Sequence, residues 1–90
     1  IGSGLQNKLL EAMSLGLPCI TSKLANNSLN ATNNENILIG NSPIEYVNQI
    51  RRCLDDRLFR EKIGKQGKKY VVKNFNWKDI NKDLLTIFQT

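Results

Sequence analysis

The stretch Gly4-Leu-Gln-Asn-Lys-Leu-Leu-Glu-Ala-Met13, continued by Ser14-Leu-Gly-Leu-Pro-Cys-Ile-Thr-Ser22, decides how the rest of this chain is read. A glycine-containing loop opens a helix, the helix stops at Gly16, and a short apolar run begins at Pro18. Loop, helix, glycine and strand in that order make half of an α/β unit. The first-turn amides of such a helix have no intrahelical acceptor, and the aligned peptide dipoles add positive potential at the same place. A phosphate against Leu5, Gln6, Asn7 and Lys8 would satisfy those donors. Glu11 follows Lys8 by three residues and Asn7 by four, which puts all three on one side of the helix. Leu9, Leu10, Ala12 and Met13 are mostly left for the core. A carboxylate at Glu11 can accept hydrogen bonds from the paired hydroxyls of a ribose, with the diphosphate over the helix start. The plainer reading is a solvated glutamate behind an ordinary turn.

GLQNKLLEAMSLGLPCITS resembles the signature helix of group 1 glycosyltransferases of the GT-B fold, in the branch whose helix reads close to G-x-Q-N-K-x-L-E-A-M. The likeness continues in Asn36-Ile-Leu-Ile-Gly40, similar to a strand of that family. It ends in Asn74-Phe-Asn-Trp77, similar to the segment that opens the family's final helix. The three landmarks occur in order, and the likeness takes in the entire 90 residues.

This resemblance implies an α/β fold, the C-terminal half of a Rossmann-like GT-B donor-binding domain, with short parallel strands flanked by helices and a C-terminal crossover helix. Residues 1–75 would belong to the nucleotide-sugar-binding domain, and 76–90 would form the helix that packs back on an N-terminal domain. The implied activity is transfer of a sugar from a nucleotide-diphosphate-sugar donor to a glycan or lipid-linked acceptor, in cell-surface polysaccharide or glycolipid synthesis. Glu11 matches the second glutamate of the family's Glu, seven residues, Glu motif, which binds the nucleotide ribose. Gly4, Leu5, Gln6, Asn7 and Lys8 match the turn whose main-chain amides face the donor diphosphate. Ser3 stands where the motif has its first glutamate, the position that would face the donor sugar. The resemblance names no catalytic acid or base, no metal ligand and no cofactor among these residues.

Composition sets the frame. Ninety residues with 40% hydrophobic and 23% charged side chains make a globular piece, neither disordered nor membrane-spanning. The chain starts at Ile1 without Met, and because a GT-B enzyme has two Rossmann-like domains the resemblance implies a C-terminal fragment. Cys19 falls in an apolar run and Cys53 in a helical one, which suits a reducing, cytoplasmic setting better than a disulfide framework. There is no His. Asn26-Asn-Ser28 and Asn30-Ala-Thr32 fit the glycosylation acceptor pattern, a match expected by chance in so Asn-rich a chain.

Beyond the signature helix, Gly16 suits a left-handed helix end and Pro18 the first residue of a strand through Cys19-Ile-Thr21. Lys23 to Glu35 reads as a long loop with one turn around Leu24, and Ile37-Leu-Ile39 as a second strand before a turn at Gly40-Asn41. Ser42-Pro-Ile-Glu45 is a helix start with a cap, a proline at the first position and a capping-box glutamate. Val47, Ile50 and Leu54 mark the apolar face of that helix. Asp55 or Asp56 caps the next, read from about Arg57 to Lys73, with Leu58, Phe59, Ile63, Tyr70 and Val71 on its buried side. Gly64 and Gly67 each cost that helix about 1 kcal/mol, which points to a close approach of helix to sheet. After the cap at Asn76, Trp77, Ile80, Leu84, Ile87 and Phe88 form a stripe whose first reading is core packing, and where it lacks a partner it predicts self-association or fraying of residues 77–90.

Lys62, Lys65, Lys68, Lys69 and Lys73 carry much of the net charge of +5. A solvated face is the ordinary reading of such a run, and peripheral contact with anionic lipid at the inner face of a membrane is the functional alternative. Nucleic acid is not indicated, because no recognised module is present and the aromatics are not interleaved with the basic residues. Three readings stay open: the donor half-site of a glycosyltransferase, a non-catalytic nucleotide-binding relic of the same fold, and a basic membrane or polyanion interaction domain.

Overall fold

The computed structural model describes the backbone of residues 2–75 and the side chains of residues 7–75. The crossover helix read over 76–90, with its stripe and its expected self-association, lies outside the described residues. Six elements follow in order: α1 (Gly2–Ser14), β1 (Ile20–Thr21), α2 (Lys23–Leu29), β2 (Leu38–Ile39), α3 (Pro43–Asp55) and α4 (Arg57–Asn74). The strands pair in parallel, Ile20 opposite Leu38 and Thr21 opposite Ile39. The amide of Leu38 donates to the Cys19 carbonyl and that of Gly40 to the Thr21 carbonyl, both at 2.9 Å. Parallel strands require a crossover, here supplied by α2 and the loop after it. The expected α/β class is present, as a short parallel pair with helices around it, compatible with part of a Rossmann-like GT-B domain.

Local chemistry accounts for most boundaries. Gly16 (φ 80°) closes α1 in a Schellman motif: its amide donates to the Met13 carbonyl and that of Leu17 to the Ala12 carbonyl. The Ser42 hydroxyl accepts from the Glu45 amide at 3.3 Å with Pro43 at the first position, and Asp56 accepts from the Phe59 amide at 3.0 Å. Glu45 departs from the expected capping box, since its carboxylate accepts from the Asn41 amide, one residue before the cap.

Further expectations are corrected, among them Ile37, which precedes β2 and forms only an isolated bridge with Asn33. Helix α1 is already under way at Gly2, so Gly4 lies within its first turn and not in a loop ahead of it. Glycine costs least at a helix start, where few ladder bonds depend on it. Pro18 and Cys19 precede the two-residue β1. The stretch read as a loop from Lys23 contains the helix α2, capped by Ser22, whose hydroxyl accepts from the Ala25 amide at 3.1 Å. That helix ends at left-handed Asn30, and the Asn26 carboxamide binds both the amide and the carbonyl of Ala31. Finally, Leu58 is exposed, not buried, because α4 turns Ile63, Gly64, Gly67 and Val71 inward.

The core is Leu9, Leu10 and Met13 of α1 with Cys19, Leu29, Ala31, Ile37 and Val71. Helix α4 closes against α1, and its two glycines make the approach possible. A Cβ on Gly67 would lie 2.9 Å from the Asn36 carbonyl oxygen, and one on Gly64 would meet the backbone of Gly16 and Pro18. The close approach read from these glycines exists, but it is to the turn after α1 and the loop before β2. Tyr70 anchors the far end, its hydroxyl donating to the carbonyl of Leu29 at 2.7 Å or of Asn30 at 2.9 Å. Helix α3 buries none of its residues, and Val47, Ile50 and Leu54 all remain exposed.

Candidate functional site

On α1 the core side and the outward side are cleanly divided. Leu9, Leu10 and Met13 point inward, and Asn7, Lys8 and Glu11 share the other side, with Asn7 and Lys8 exposed and Glu11 half-buried. The Glu11 carbonyl accepts from the Ser14 hydroxyl at 2.7 Å and from the Leu15 amide, which holds the end of this helix in place. With the helix starting at Gly2, its open first-turn donors belong to Gly2, Ser3 and Gly4. Leu5 to Lys8 lie further along, and the amides of Gln6, Asn7 and Lys8 face the helix carbonyls of Gly2, Ser3 and Gly4 four residues back. Glu11 is thus about two and a half turns from the helix start at Gly2, or roughly 13 Å at 1.5 Å per residue.

At the carboxyl end of the parallel pair, two more helices begin. Thr21 runs through Ser22 into α2, and Ile39 runs through Gly40 and Asn41 to the Ser42 cap of α3. The Asn41 carboxamide accepts from the Lys23 amide at 2.9 Å and so ties the start of α2 to the turn before α3. Gly40 is buried there, where a Cβ would stand 3.1 Å from the Tyr46 amide nitrogen. Ile39 is held on both sides by side chains: its amide donates to Asn33 at 2.9 Å, and its carbonyl accepts from Gln49 at 3.0 Å. The turn read at Gly40-Asn41 is present, but the ties that Asn41 and Asn33 make to other segments are not readable from the sequence. The one signal of these asparagines was position, since Asn and Asp next to strand ends commonly complete backbone hydrogen bonding.

Two concavities among the described residues lie elsewhere. One, of about 440 Å³, separates the end of α3 from the start of α4 and is lined by Asn48, Arg51, Arg52, Asp55, Asp56 and Phe59. Arg52 lies over the Phe59 ring at 4.2 Å and donates to Asn34 and Gln49, so its guanidinium is already engaged. Asp55 and Asp56 balance the two arginines of this hollow, leaving little net attraction for an anion. The other, of about 270 Å³, is polar and lined by Asn34, Glu35, Asn36, Lys62 and Gln66. Neither is lined by Glu11. Among the described residues no group of three His, Cys, Asp or Glu side chains could hold a metal ion, and no helix is long and apolar enough to cross a membrane.

Residues 1–56, which include Glu11 and the whole of Gly4 to Lys8, match the family described as "Glycosyl transferases group 1", and the chain belongs to that family. It is 30% identical over 82 residues to "Spore coat protein SA" of Bacillus subtilis (strain 168), covering 88% of this chain and 22% of that protein. It is 31% identical over 90 residues to "Uncharacterized glycosyltransferase MJ1069" of Methanocaldococcus jannaschii, covering 98% of this chain and 23% of that protein. The chain therefore spans less than a quarter of the length of either relative. No solved structure matches it.

Proposed function

We propose that the full-length protein transfers a sugar from a nucleotide-diphosphate-sugar to an acceptor, and that this chain carries the nucleotide-holding part of its donor site. The observation that carries the reading is the half-buried Glu11 on the outward side of α1, between two and three turns in from the helix start, in a chain of this family. In this reading the Glu11 carboxylate accepts hydrogen bonds from the ribose hydroxyls. The diphosphate lies toward the amino-terminal end of α1, over the stretch Gly4 to Lys8. The open amides of Gly2 to Gly4 and the ammonium of Lys8 supply positive potential there. The same potential stabilises the charge that builds on the departing nucleoside diphosphate as the glycosidic bond breaks. Glu11 orients the nucleotide and transfers no proton. A helix that leads into a parallel strand runs back alongside it, so the amino end of α1 belongs with the strand ends where α2 and α3 begin, the edge at which open α/β sheets bind ligands.

Titration of the full-length protein with uridine and guanosine diphosphates, wild type against Glu11→Ala, tests this site. A loss of affinity of about tenfold or more is expected for removal of a charge-assisted hydrogen-bond pair. Unchanged affinity would remove the basis of the proposal. A second reading rests on Ser3, which puts a hydroxyl where the motif has a carboxylate: a protein that binds the nucleotide without transferring sugar. Donor hydrolysis or transfer to a glycan or lipid-linked acceptor separates the two. A cytoplasmic setting and a role in polysaccharide or glycolipid synthesis accompany the first reading.

A further inference from the structure

Helix α4 turns a row of four lysines to solvent. Lys62, Lys65, Lys69 and Lys73 are all exposed, at spacings of three, four and four, on the side opposite the buried Gly64, Gly67 and Val71. The helix carries one carboxylate, Glu61, and that is taken by Arg57 at 2.9 Å, the one ion pair among the described residues. Lys68 stands apart from the row, its stem turned toward the Gly16 turn. The row begins at an apolar corner: Leu58, 78% exposed, precedes Lys62 by one turn, and Leu54, 73% exposed, closes α3 just before it. Val72, beside Lys73, adds exposed apolar surface at the other end.

We propose that this face of α4, with its Leu54–Leu58 corner, docks on an anionic phospholipid surface. Charge and polarity select that partner together. A headgroup layer takes a line of ammonium groups on flexible stems, while the acyl region just beneath accepts leucines at the same contact. A nucleic acid offers the charge but no apolar layer, and the face presents neither arginine forks nor aromatic rings for phosphates and bases. None of these residues belongs to the nucleotide site proposed on α1, so the two readings stand or fall separately.

The test is co-sedimentation of the full-length protein with vesicles of phosphatidylcholine alone and of phosphatidylcholine containing phosphatidylglycerol, at low and high salt. Binding is expected only with the anionic lipid, weakening as salt rises. Each lysine near such a surface contributes about fivefold, so the fourfold variant K62Q/K65Q/K69Q/K73Q loses on the order of a hundredfold or more. L54S/L58S weakens binding at high salt, where the apolar part of the contact remains. Circular dichroism and thermal unfolding of both variants guard against misfolding, and unchanged nucleotide titration shows that the α1 site is intact. Equal vesicle binding by the fourfold variant, binding indifferent to phosphatidylglycerol, or no vesicle binding by the wild-type protein would each overturn the proposal. So would lysine-dependent retention on duplex DNA in place of vesicles.

Discussion

Gly64 of α4 lies directly against the backbone of Gly16, the left-handed residue that ends α1. A Cβ built on Gly64 would collide with the Gly16 carbonyl oxygen and stand 3.2 Å from the Pro18 nitrogen. Because the obstacle is backbone, no rotamer change relieves it. Gly64→Ala is therefore expected to destabilise by about 1–3 kcal/mol, even though alanine recovers about 1 kcal/mol of helix propensity. Denaturant unfolding checks this, with Lys69→Ala, on the exposed side of the same helix, expected within about 0.5 kcal/mol of wild type.

Tyr70 reaches from α4 to the end of α2, forty residues away in the chain, where its hydroxyl meets the Leu29 and Asn30 carbonyls. Tyr70→Phe keeps the ring and its edge contact with Phe75 but leaves those carbonyls short of a donor. The expected cost is about 1 kcal/mol, read from the shift in unfolding midpoint at constant m-value.

Asn26 acts as a clasp on the loop after α2, donating to the Ala31 carbonyl at 2.7 Å and accepting from its amide at 3.1 Å. Asn26→Ala removes both bonds and is expected to cost about 1–2 kcal/mol. Hydrogen exchange should show the loss first in the amides of residues 27–32, ahead of those of α4.

The two free cysteines differ in surroundings. Burial pushes the Cys19 thiol up to about 11, and its Sγ donates weakly to the Leu17 carbonyl at 3.4 Å. Cys53 is also raised by burial, opposed by the nearby Arg52 and Arg60 charges. Only the thiolate is alkylated, so at neutral pH iodoacetamide should label Cys53 first and Cys19 only on unfolding. The fold favours the protonated thiol of Cys19, so that contribution to stability is fully present below pH 9.0 and is lost as pH rises toward about 11. Cys19→Ala should flatten the stability curve across that window, which thermal melts at successive pH values would reveal.

Much of the local plan was legible from residues alone because its causes are local. A glycine that can take φ 80°, a serine before proline and an aspartate two residues beyond a leucine each specify a helix boundary through atoms a few bonds away. Helix α2 was not legible. Lys23-Leu-Ala-Asn-Asn-Ser-Leu29 is a poor helix by propensity, and it holds because Leu29 is buried in the core cluster, with α2 packed against α1, and because Asn26 closes the loop. The apolar face of α3 shows the opposite case. Spacing identified Val47, Ile50 and Leu54 as one face, but periodicity says nothing of whether a neighbour covers it, and here none does among the described residues.

The amino-acid sequence by itself determined the family, the alternation of helix and strand, and the side of α1 on which Glu11 stands, since each follows from residue order within one or two turns. Only the tertiary structure decided where the glycines of α4 press and how far into α1 Leu5 to Lys8 fall. Those outcomes depend on contacts between segments tens of residues apart and on where a helix ladder begins, and spacing along a chain encodes neither.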